Sequence, residues 1–437
     1  MDLKIRNLDG VERIHLMGIG GAGMSGLALL LKDLGYDVSG CDVNWTSYVD
    51  KVVRDDISFM LQHGKEHLDE LKPDLLIYSS AIPDDNEELC EAWRRGIRIA
   101  KRGEVLSWIF DARFGIGIAG THGKTTTTLM LTNLMKAYPI SAVIGDGTGI
   151  GNENYQYFIF ESCEYRNHFL KFNYDYLIIN NIDFDHPDFF ANLKDVKKSF
   201  SEAAKQTKIL VINGDDLNCS DIIHSQKYTF GLSNKNFLNC EIINSVNNGY
   251  ELKINIDKRS YEYFLPLLGK HMIYNFLGAL TIYFLIGGDM EKVQENLDQF
   301  KKPKRRMEEH FFKDNVIIDD YAHHPREILA CIESIKLKYP HKKLVVIFEP
   351  HTYSRTLALA SEFKNAFIDV DEFYLANTFT SKREQYQRDK EKMVRNIFKG
   401  AKTFTAKNIK KFKLYHNSVI VFMGAGNIRK YIPEIIL

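Results

Sequence analysis

The stretch Ala119-Gly-Thr-His-Gly-Lys-Thr125 follows an apolar run, residues 114–119, and leads into a threonine-rich segment with apolar residues at helical spacing. A phosphate-binding loop requires this order of strand, glycine loop and helix, because glycines let backbone N–H groups wrap an oxyanion at a helix N-terminus. In that geometry Lys124 reaches the terminal phosphates, and the hydroxyl of Thr125 is placed for Mg²⁺. The stretch therefore predicts a nucleoside triphosphate site, with the candidates Gly120, Thr121, His122, Gly123, Lys124, Thr125 and Thr126.

The stretch departs from the usual phosphate-loop pattern at one position. That pattern places a glycine five residues before the glycine of Gly-Lys-Thr, and this chain has Ile118 there. An ordinary strand-to-helix turn is the alternative interpretation, but it leaves Gly-Lys-Thr at the start of the helix unexplained. The rest of the chain has to decide between the two.

Acidic residues and a histidine follow two buried-strand patterns downstream of the loop. Residues 157–160 lead to Glu161 and Glu164, and residues 177–182 lead to the sequence Asp-Phe-Asp-His-Pro, whose histidine is His186. Because the carboxyl ends of parallel strands meet at one edge of a sheet, we expect these side chains beside the phosphates. Mg²⁺ prefers oxygen ligands together with phosphate oxygens, although a loop histidine also has a purely structural interpretation. The metal-site candidates are Thr125, Glu161, Glu164 and His186.

A second glycine loop, Gly-Ile-Gly-Gly-Ala-Gly at residues 18–23, lies near the N-terminus between a strand pattern and a helical pattern. A second strand ends at Asp42, near the place where dinucleotide-binding folds carry a ribose-binding acid. Read alone, this indicates NAD, but a UDP-linked substrate also satisfies a loop that specifies only a diphosphate at a helix N-terminus. A third strand ends at Ser79 in a polar turn, which is either a simple loop or a ligand contact. The candidates are Gly18, Gly20, Gly21, Gly23, Asp42 and Ser79.

Three more strand patterns, residues 316–319, 344–348 and 418–423, each end in a polar or glycine-rich loop. A doubly wound α/β domain presents a site at one edge of its sheet in this way. The first two loops contain His324, His351 and Arg355.

Two features of the middle of the chain complete the pattern. Residues 228–267 change to short alternating runs, which predict antiparallel strands added to the α/β core. The mostly apolar helical segment that follows carries Asn275, whose amide needs a partner if it is buried. An adenine edge and a backbone group are both candidates for that partner.

Length, charge and composition restrict the class of protein. A chain of 437 residues is too long for one core, so two or three domains are expected. Lys plus Arg and Asp plus Glu both number 57, so the formal net charge of zero gives no reason to expect a nucleic-acid or membrane partner. No apolar run approaches the length of a membrane span, and the first residues lack the apolar core of a signal peptide, which predicts a cytoplasmic protein.

Six cysteines are scattered along the chain without a Cys-x-x-Cys pair. This spacing indicates reduced packing residues and gives no sign of a disulfide framework or a zinc framework.

Taken together, the motifs resemble those of the Mur ligases, ATP-dependent amino-acid ligases of peptidoglycan synthesis, in order along nearly the whole chain. That family uses the shorter Gly-Thr-x-Gly-Lys-Thr loop, which accounts for Ile118. The matching stretches are residues 15–25, 79–83, 120–127, 181–186, 320–325, 350–356 and 424–426.

The resemblance implies an α/β fold of three domains. An N-terminal Rossmann-like domain, residues 1–110, would bind the UDP moiety, and a central P-loop ATPase-like domain with a parallel sheet and an antiparallel portion, residues 111–303, would bind ATP and Mg²⁺. A C-terminal Rossmann-like domain, residues 304–437, would bring the amino acid. The branch of the family with the most similar motifs joins L-alanine to the carboxylate of UDP-N-acetylmuramate through an acyl phosphate, and the chain is expected to act as a monomer or homodimer.

By similarity, the catalytic residues would be Lys124, His186, His324 and Arg355, with His351 and Arg355 near the amino acid or the phosphates. Two departures from the family pattern stand out. The adenine motif usually reads His-Asn, whereas Met272 follows His271 here, and Asn275 is the firmer match. The acidic motif often reads Glu-Ala-Asp-Glu and here reads Glu-Ser-Cys-Glu, which leaves open whether Glu161 or Glu164 is the principal metal ligand.

Three alternatives remain open at the level of sequence. A ligase that attaches an intact tripeptide to UDP-N-acetylmuramate is the nearest, and residues 350–356 resemble the alanine enzyme's version more closely. An NAD-dependent dehydrogenase leaves the loop at Lys124 unexplained. A non-catalytic nucleotide switch does not account for polar strand ends in three domains.

Overall fold

The computed structural model describes residues 5–380 and 384–436, and over these residues the chain forms three β-sheets flanked by helices, one sheet per domain. The three-domain α/β architecture expected from the motifs is confirmed.

The N-terminal sheet has the strand order β3-β2-β1-β4-β5, and its pairings are parallel. Its strands are β1 Arg13–Met17, β2 Asp37–Asp42, β3 Ser58–Leu61, β4 Leu75–Tyr78 and β5 Arg98–Lys101; its helices are α1 Ala22–Asp33, α2 Ser47–Arg54, α3 His67–Leu71, α4 Glu87–Arg94 and α5 Arg102–Phe110. The strand order reverses between β1 and β4, so a crevice opens at their carboxyl ends, where ligands of open α/β sheets bind. The glycine loop at residues 18–21 lies at this point.

The central sheet has the order β15-β14-β13-β12-β11-β10-β6-β9-β7-β8. Its strands are β6 Phe114–Ala119, β7 Ile140–Val143, β8 Gly149–Ile150, β9 Tyr157–Glu161, β10 Tyr174–Ile179, β11 Thr207–Asn213, β12 Lys227–Gly231, β13 Leu238–Val246, β14 Gly249–Ile256 and β15 Arg259–Leu265; its helices are α6 Lys124–Leu134, α7 Leu193–Lys205, α8 Lys270–Leu285 and α9 Val293–Asp298. β6 pairs in parallel with both β9 and β10. The two strands whose carboxyl ends lead to acidic residues therefore flank the strand that carries the phosphate loop.

The antiparallel prediction for residues 228–267 is confirmed for part of that region and wrong for the rest. β13, β14 and β15 form an antiparallel meander, whereas β12 pairs in parallel with β11 and with the start of β13. The connection between β11 and β12 brings the chain back to the edge of the sheet at which β11 begins. β12 therefore runs in the same direction as β11 and extends the parallel part of the sheet. Alternation of polar and apolar residues indicates that one face of a strand is buried. It does not indicate whether the neighbouring strand runs parallel or antiparallel.

The C-terminal sheet has the order β16-β17-β21-β18-β19-β20, parallel except for the antiparallel pair of β16 and β17. Its strands are β16 Glu308–Phe312, β17 Asn315–Asp320, β18 Lys343–Phe348, β19 Glu372–Leu375, β20 Lys402–Thr403 and β21 Ser418–Met423; its helices are α10 Pro325–Lys338, α11 Tyr353–Ala358, α12 Ala360–Ala366, α13 Arg388–Ile397 and α14 Pro433–Ile436. β17, β18 and β21 are adjacent, so the three polar loops that follow them share one edge.

The N-terminal and central domains share one hydrophobic core. Apolar side chains of α1 and of β7 and β9 belong to the same buried cluster. Backbone contact is close as well, since a Cβ added at Gly149 of β8 would lie 2.0 Å from the carbonyl oxygen of Gly26 in α1. Only glycine fits at this crossing, so the first two domains are packed tightly together.

The cysteines and helices test two sequence expectations. All six cysteines are free thiols, as predicted, but Cys90 and Cys163 are exposed, so the interpretation of all six as packing residues is wrong for these two. Cys90 lies on the outer face of α4, and Cys163 lies in the loop after β9.

In the described part of the chain no helix combines the length and the apolar character needed to cross a bilayer.

Candidate active site

The phosphate loop has the strand–loop–helix geometry predicted from the sequence. β6 ends at Ala119 and α6 begins at Lys124. Gly120 and Gly123 have φ values of 136° and 81°, a region that side chains other than glycine rarely adopt. A Cβ added at Gly120 would lie 3.0 Å from Cβ of Asn180, so the loop passes closely over the end of β10. The glycines are therefore required by both backbone angle and space.

Lys124 lies at the end of the loop and pairs with an acid from the segment that follows β9. Its Nζ lies 2.9 Å from a carboxylate oxygen of Glu164 and also donates to the carbonyl oxygens of Gly120 and Thr121. Although burial acts in the opposite direction, the charge of Lys124 lowers the pKa of Glu164. The ammonium is thus held at the start of α6, where the helix dipole adds positive potential for an anion.

The predicted metal-site residues lie around this pair. Glu161 accepts a hydrogen bond from the backbone N–H of Gly145 at 2.6 Å and another from the hydroxyl of Thr125. Burial raises the pKa of Glu161, which means that its charge is not fully compensated by the protein. Nε2 of His186 lies 3.6 Å from Glu164. A cation beside these carboxylates would supply the missing compensation.

Arg355 crosses from the C-terminal domain to the central domain. Its guanidinium forms a fork with the carboxylate of Asp185, with distances of 2.7 Å from Nε and 3.2 Å from Nη2. Burial alone would raise the pKa of Asp185, but Arg355 holds that pKa well below its ordinary value. Nη1 of the same guanidinium lies 3.1 Å from Nδ1 of His351. The loop at residues 350–356 is thereby fixed against the loop at residues 181–186.

His122 of the phosphate loop faces acids from both domains. Its Nε2 lies 3.5 Å from Asp183, and its Nδ1 lies 3.7 Å from Glu327 of α10. Burial alone would lower the pKa of His122, but these two carboxylates raise it to about 9. The two carboxylates therefore favour the protonated form of His122 at neutral pH.

His324, the residue that caps α10, packs against His122 with 4.4 Å between ring centroids. Burial and the charge of His122 lower the pKa of His324 to about 4, so this second imidazole is neutral at pH 7. Its Nε2 lies 3.3 Å from the carbonyl oxygen of Phe184. His324 therefore closes the same domain interface and adds no charge to it.

A cavity of about 220 Å³ opens beside the phosphate loop, between the central and C-terminal domains. Asn275 of α8 lies at its wall, and a Cβ added at Gly123 would lie 2.3 Å from Oδ1 of Asn275. The buried amide of Asn275 has a weak contact with Met272 Sδ at 4.0 Å. The amide of Asn275 therefore has donors and acceptors left for a ligand in the cavity, and a contact with an adenine edge would need them. Further lining residues are Thr126, Asn180, His271 and Arg306.

The N-terminal glycine loop brings its predicted residues together. Gly18 has a φ of 82°, and a Cβ added there would lie 3.0 Å from Cβ of Ser79. The N–H of Gly20 donates to the carboxylate of Asp42 at 3.0 Å. Asp42 therefore contacts the loop itself, at the carboxyl end of β2.

A smaller cavity of about 90 Å³ lies between the N-terminal and central domains, since it is lined by Gly23 on one side and by Glu161 at the end of β9 on the other. It also contains Arg102 and Lys171, which the sequence did not single out as site residues. A Cβ added at Gly23 would lie 2.8 Å from Nη1 of Arg102, so this guanidinium rests on the glycine loop. Arg102 directly follows β5 at the carboxyl edge of the sheet, and this position could have indicated a site residue from the sequence. No sequence pattern indicates Lys171.

Comparison with known proteins identifies the family. Three family models match in chain order: "Mur ligase family, catalytic domain" at residues 13–114, "Mur ligase middle domain" at residues 118–283, and "Mur ligase, glutamate ligase domain" at residues 305–426.

Individual relatives cover nearly the full chain. The UDP-N-acetylmuramate–L-alanine ligase of Streptococcus agalactiae is 37% identical over 423 residues, 95% of each chain. That of Streptococcus thermophilus is 38% identical over 424 residues, 95% of this chain and 96% of the relative. The crystal structure of the UDP-N-acetylmuramate-alanine ligase of Thermotoga maritima matches with a TM-score of 0.79 at 26% identity, covering 97% of this chain and 98% of that one. This chain belongs to the Mur ligase family.

Proposed function

We propose that this protein uses ATP to join L-alanine to the carboxylate of UDP-N-acetylmuramate, a step of peptidoglycan precursor synthesis. Mur ligases are ATP-dependent amide ligases, so the reaction class follows from membership of the family. The choice of substrates is supported by relatives of that name that match 95% of the chain.

The observation that carries the proposal is the convergence of three domains on one phosphate loop. Lys124 and the acids Glu161 and Glu164 belong to the central domain, Arg355 reaches in from the C-terminal domain, and the cavity at Glu161 leads to the N-terminal glycine loop. A ligase needs this arrangement, because it has to hold a nucleotide, an acid and an amine within reach of one another.

The chemistry requires activation of the carboxylate. An amine does not displace oxide from a carboxylate at neutral pH, so the γ-phosphoryl group of ATP is first transferred to the muramate carboxylate. The amine of alanine then attacks the resulting acyl phosphate, a tetrahedral intermediate forms, and phosphate leaves as the amide is made. Lys124 would exchange its contacts with Glu164 and the loop carbonyls for phosphate oxygens, which neutralises charge as it develops.

Mg²⁺ would be held by Thr125, Glu161 and Glu164, with His186 close by. The set fits the ion, because it offers oxygen ligands beside the phosphate loop and Glu161 has an incompletely compensated charge. When bound, Mg²⁺ would neutralise charge on the phosphates. Asn275 would contact the adenine.

The remaining candidates would act at the two ends of the site. Gly18, Gly20, Gly21 and Gly23 would bind the uridine diphosphate, with Asp42, Ser79 and Arg102 around it. His351 and Arg355 would orient the amino acid or the phosphates. The Asp185–Arg355 pair and the His122–His324 contact hold the C-terminal domain against the loop, and this closed arrangement would exclude the water that hydrolyses acyl phosphates.

We further propose that the protein acts in the cytoplasm as a monomer or homodimer, without nucleic-acid or membrane partners, because both nucleotide substrates are water-soluble.

ADP release with UDP-N-acetylmuramate, measured across a panel of amino acids, tests the function. We expect turnover that requires both UDP-N-acetylmuramate and L-alanine, and a product whose mass equals that of the two joined with loss of water. Parallel assays replace L-alanine by the tripeptide L-alanyl-γ-D-glutamyl-diaminopimelate. Turnover with the tripeptide alone would transfer the assignment to the recycling ligase, and ADP release independent of any amine would overturn the ligase function.

A further inference from the structure

A second cluster of metal-ligating side chains lies in the N-terminal domain. His15 from β1, Cys41 from β2, His67 from the start of α3 and Glu88 from α4 face one another beneath the sheet. His15, Cys41 and Glu88 are fully buried, and His67 is 7% exposed. Charged side chains are almost never buried this deeply unless they are paired or bind a metal.

The spacing of the four ligand atoms fits a metal ion. His15 Nε2 and His67 Nδ1 lie 3.0 Å and 3.2 Å from one oxygen of Glu88, and Cys41 Sγ lies 3.3 Å from the other. All four ligand atoms lie within 4.8 Å of one another. Ligands about 2.0–2.3 Å from a tetrahedral zinc ion are about 3.3–3.8 Å apart, so only small side-chain rotations would be needed.

The contacts around His15 are compatible with the tautomer that a metal ion needs. Ser39 Oγ lies 3.0 Å from His15 Nδ1 and 3.4 Å from the carbonyl oxygen of Ile14, so a Ser39 hydroxyl that donates to Ile14 accepts a hydrogen bond from Nδ1–H. Nε2 then faces the cluster, and it has no hydrogen-bond partner with good geometry among the described residues, although Glu88 is 3.0 Å away. Metal-bound histidines have this arrangement, in which the outer ring nitrogen donates to a neighbouring group and the inner one carries the lone pair.

We propose that His15, Cys41, His67 and Glu88 form a binding site for Zn²⁺ or a similar divalent transition-metal ion, separate from the nucleotide site. Imidazole and thiolate ligands select such ions over Mg²⁺, which prefers oxygen. On binding, the thiol of Cys41 loses its proton and a sulfur–metal bond forms. The proton leaves through His63, whose Nδ1 lies 3.0 Å from Sγ and whose side chain reaches the surface.

The site would stabilise the N-terminal glycine loop from below. It would link two strands and two helices through one ion, and the carbonyl oxygen of Cys41 accepts hydrogen bonds from the N–H groups of Gly18 and Ile19. A ligand at Cys41 therefore fixes the backbone on which the first glycine of the loop rests. The expected role is structural, because the four ligand groups are provided by the protein and the cluster is buried.

The probe is Co²⁺ added to the chelator-treated full-length protein. We expect a thiolate-to-cobalt charge-transfer band and tetrahedral d–d bands that saturate at about one equivalent. Cys41→Ser should lose the charge-transfer band, whereas Cys163→Ser, which removes the thiol beside the nucleotide site, should keep it. The candidate cluster of His122, Asp183 and His324 has no thiol, so Co²⁺ bound there does not produce this band.

Two further measurements keep the proposal testable if Cys41→Ser does not fold. Ser39→Ala leaves all four ligands in place, removes the hydroxyl contacts with His15 and with the carbonyl oxygen of Ile14, and should weaken Co²⁺ binding about 10- to 100-fold. In the wild-type protein, Zn²⁺ should raise Tm, and Ser39→Ala should reduce that increase. Absence of the band in the wild type, its survival in Cys41→Ser, or its loss in Cys163→Ser would show that the cluster is a hydrogen-bonded network of buried histidines around Glu88.

Discussion

In the N-terminal domain β1 turns through Gly18 into α1, and in the central domain β6 turns through residues 120–123 into α6. Gly18 and Gly120, the first residues after the two strands, both have positive φ values, 82° and 136°. Each loop lies at the carboxyl edge of a parallel sheet, with N–H groups at the start of a helix. The two backbones are thus suited to the same task, which is to hold phosphate oxygens.

The side chains around the two loops differ. The central loop ends in Lys124, and strand β9 beside it ends in an acid. At the start of α1 the corresponding position is Ala22, and the acid beside this loop, Asp42, already accepts a hydrogen bond from Gly20. A glycine loop alone holds a phosphate, and transfer of a phosphoryl group requires the cation and acids supplied by the neighbouring elements.

Removal of the Lys124 ammonium group should have the largest effect on activity. We expect Lys124→Ala to lower alanine-dependent ADP release about 10³-fold, because one charge that stabilises the transferred phosphoryl is lost. Binding of UDP-N-acetylmuramate should change little, since Lys124 is not part of the N-terminal loop. Steady-state kinetics and calorimetric titration with the UDP substrate measure the two effects separately.

Lys136→Ala is the matched control, because Lys136 lies just beyond the end of α6 and, among the described residues, its side chain donates a hydrogen bond only to Gln299. Its activity should match that of the wild type. Full activity in Lys124→Ala would contradict the distinction between the loops, and loss of UDP binding in that variant would show that the two sites are not separate.

The similarity of the two loops could be predicted from the sequence, because glycine spacing, apolar strands and helix starts are local signals. The acids at residues 161 and 164 could be predicted for the same reason, since they directly follow a strand. Arg355 and Asp185 are 170 residues apart, and no local pattern indicates that they pair. Their contact depends on how two domains are placed, which is determined by the whole interface.

The cluster at Cys41 shows a second limit. Its members come from four elements and have no ligand spacing, so a search for Cys-x-x-Cys patterns does not find them. Burial in the folded domain is what brings them together. The direction of β12 was missed for a related reason, because strand pairing is a property of the sheet and not of the segment.

Substitution of one glycine in each loop should have an intermediate effect and separate the two ligands. In Gly123→Ala the new Cβ would lie 2.3 Å from Asn275 and require a positive φ, so we expect KM for ATP to rise about tenfold or more. In Gly20→Ala the Cβ would meet the flexible carboxylate of Asp42 at 2.9 Å without that backbone strain, so KM for the UDP substrate should rise about three- to tenfold. Each variant's KM for the other substrate is its internal control; exchanged effects would contradict the assignment of loops to ligands.

The smallest expected effect concerns pH. His122 gives the central loop a titratable group with a pKa of about 9, whereas the N-terminal loop has Ile19, Gly20 and Gly21 between Gly18 and α1. Because the folded pKa is raised above the ordinary value of about 6.5, the stabilisation by Asp183 and Glu327 is fully present below pH 6.5 and is lost as pH rises through 9.

We therefore expect the Tm difference between the wild type and His122→Gln to shrink by about 2–4 °C from pH 6.5 to pH 9.5. Thermal unfolding in buffers of equal ionic strength measures the difference. His416→Gln is the control, because His416 is 74% exposed and its surface ion pair with Asp314 contributes little. If His122→Gln kept the pH slope of the wild type, the charged histidine would not hold the C-terminal domain against the central loop. The contrast between the loops would then rest on Lys124 and the acids alone.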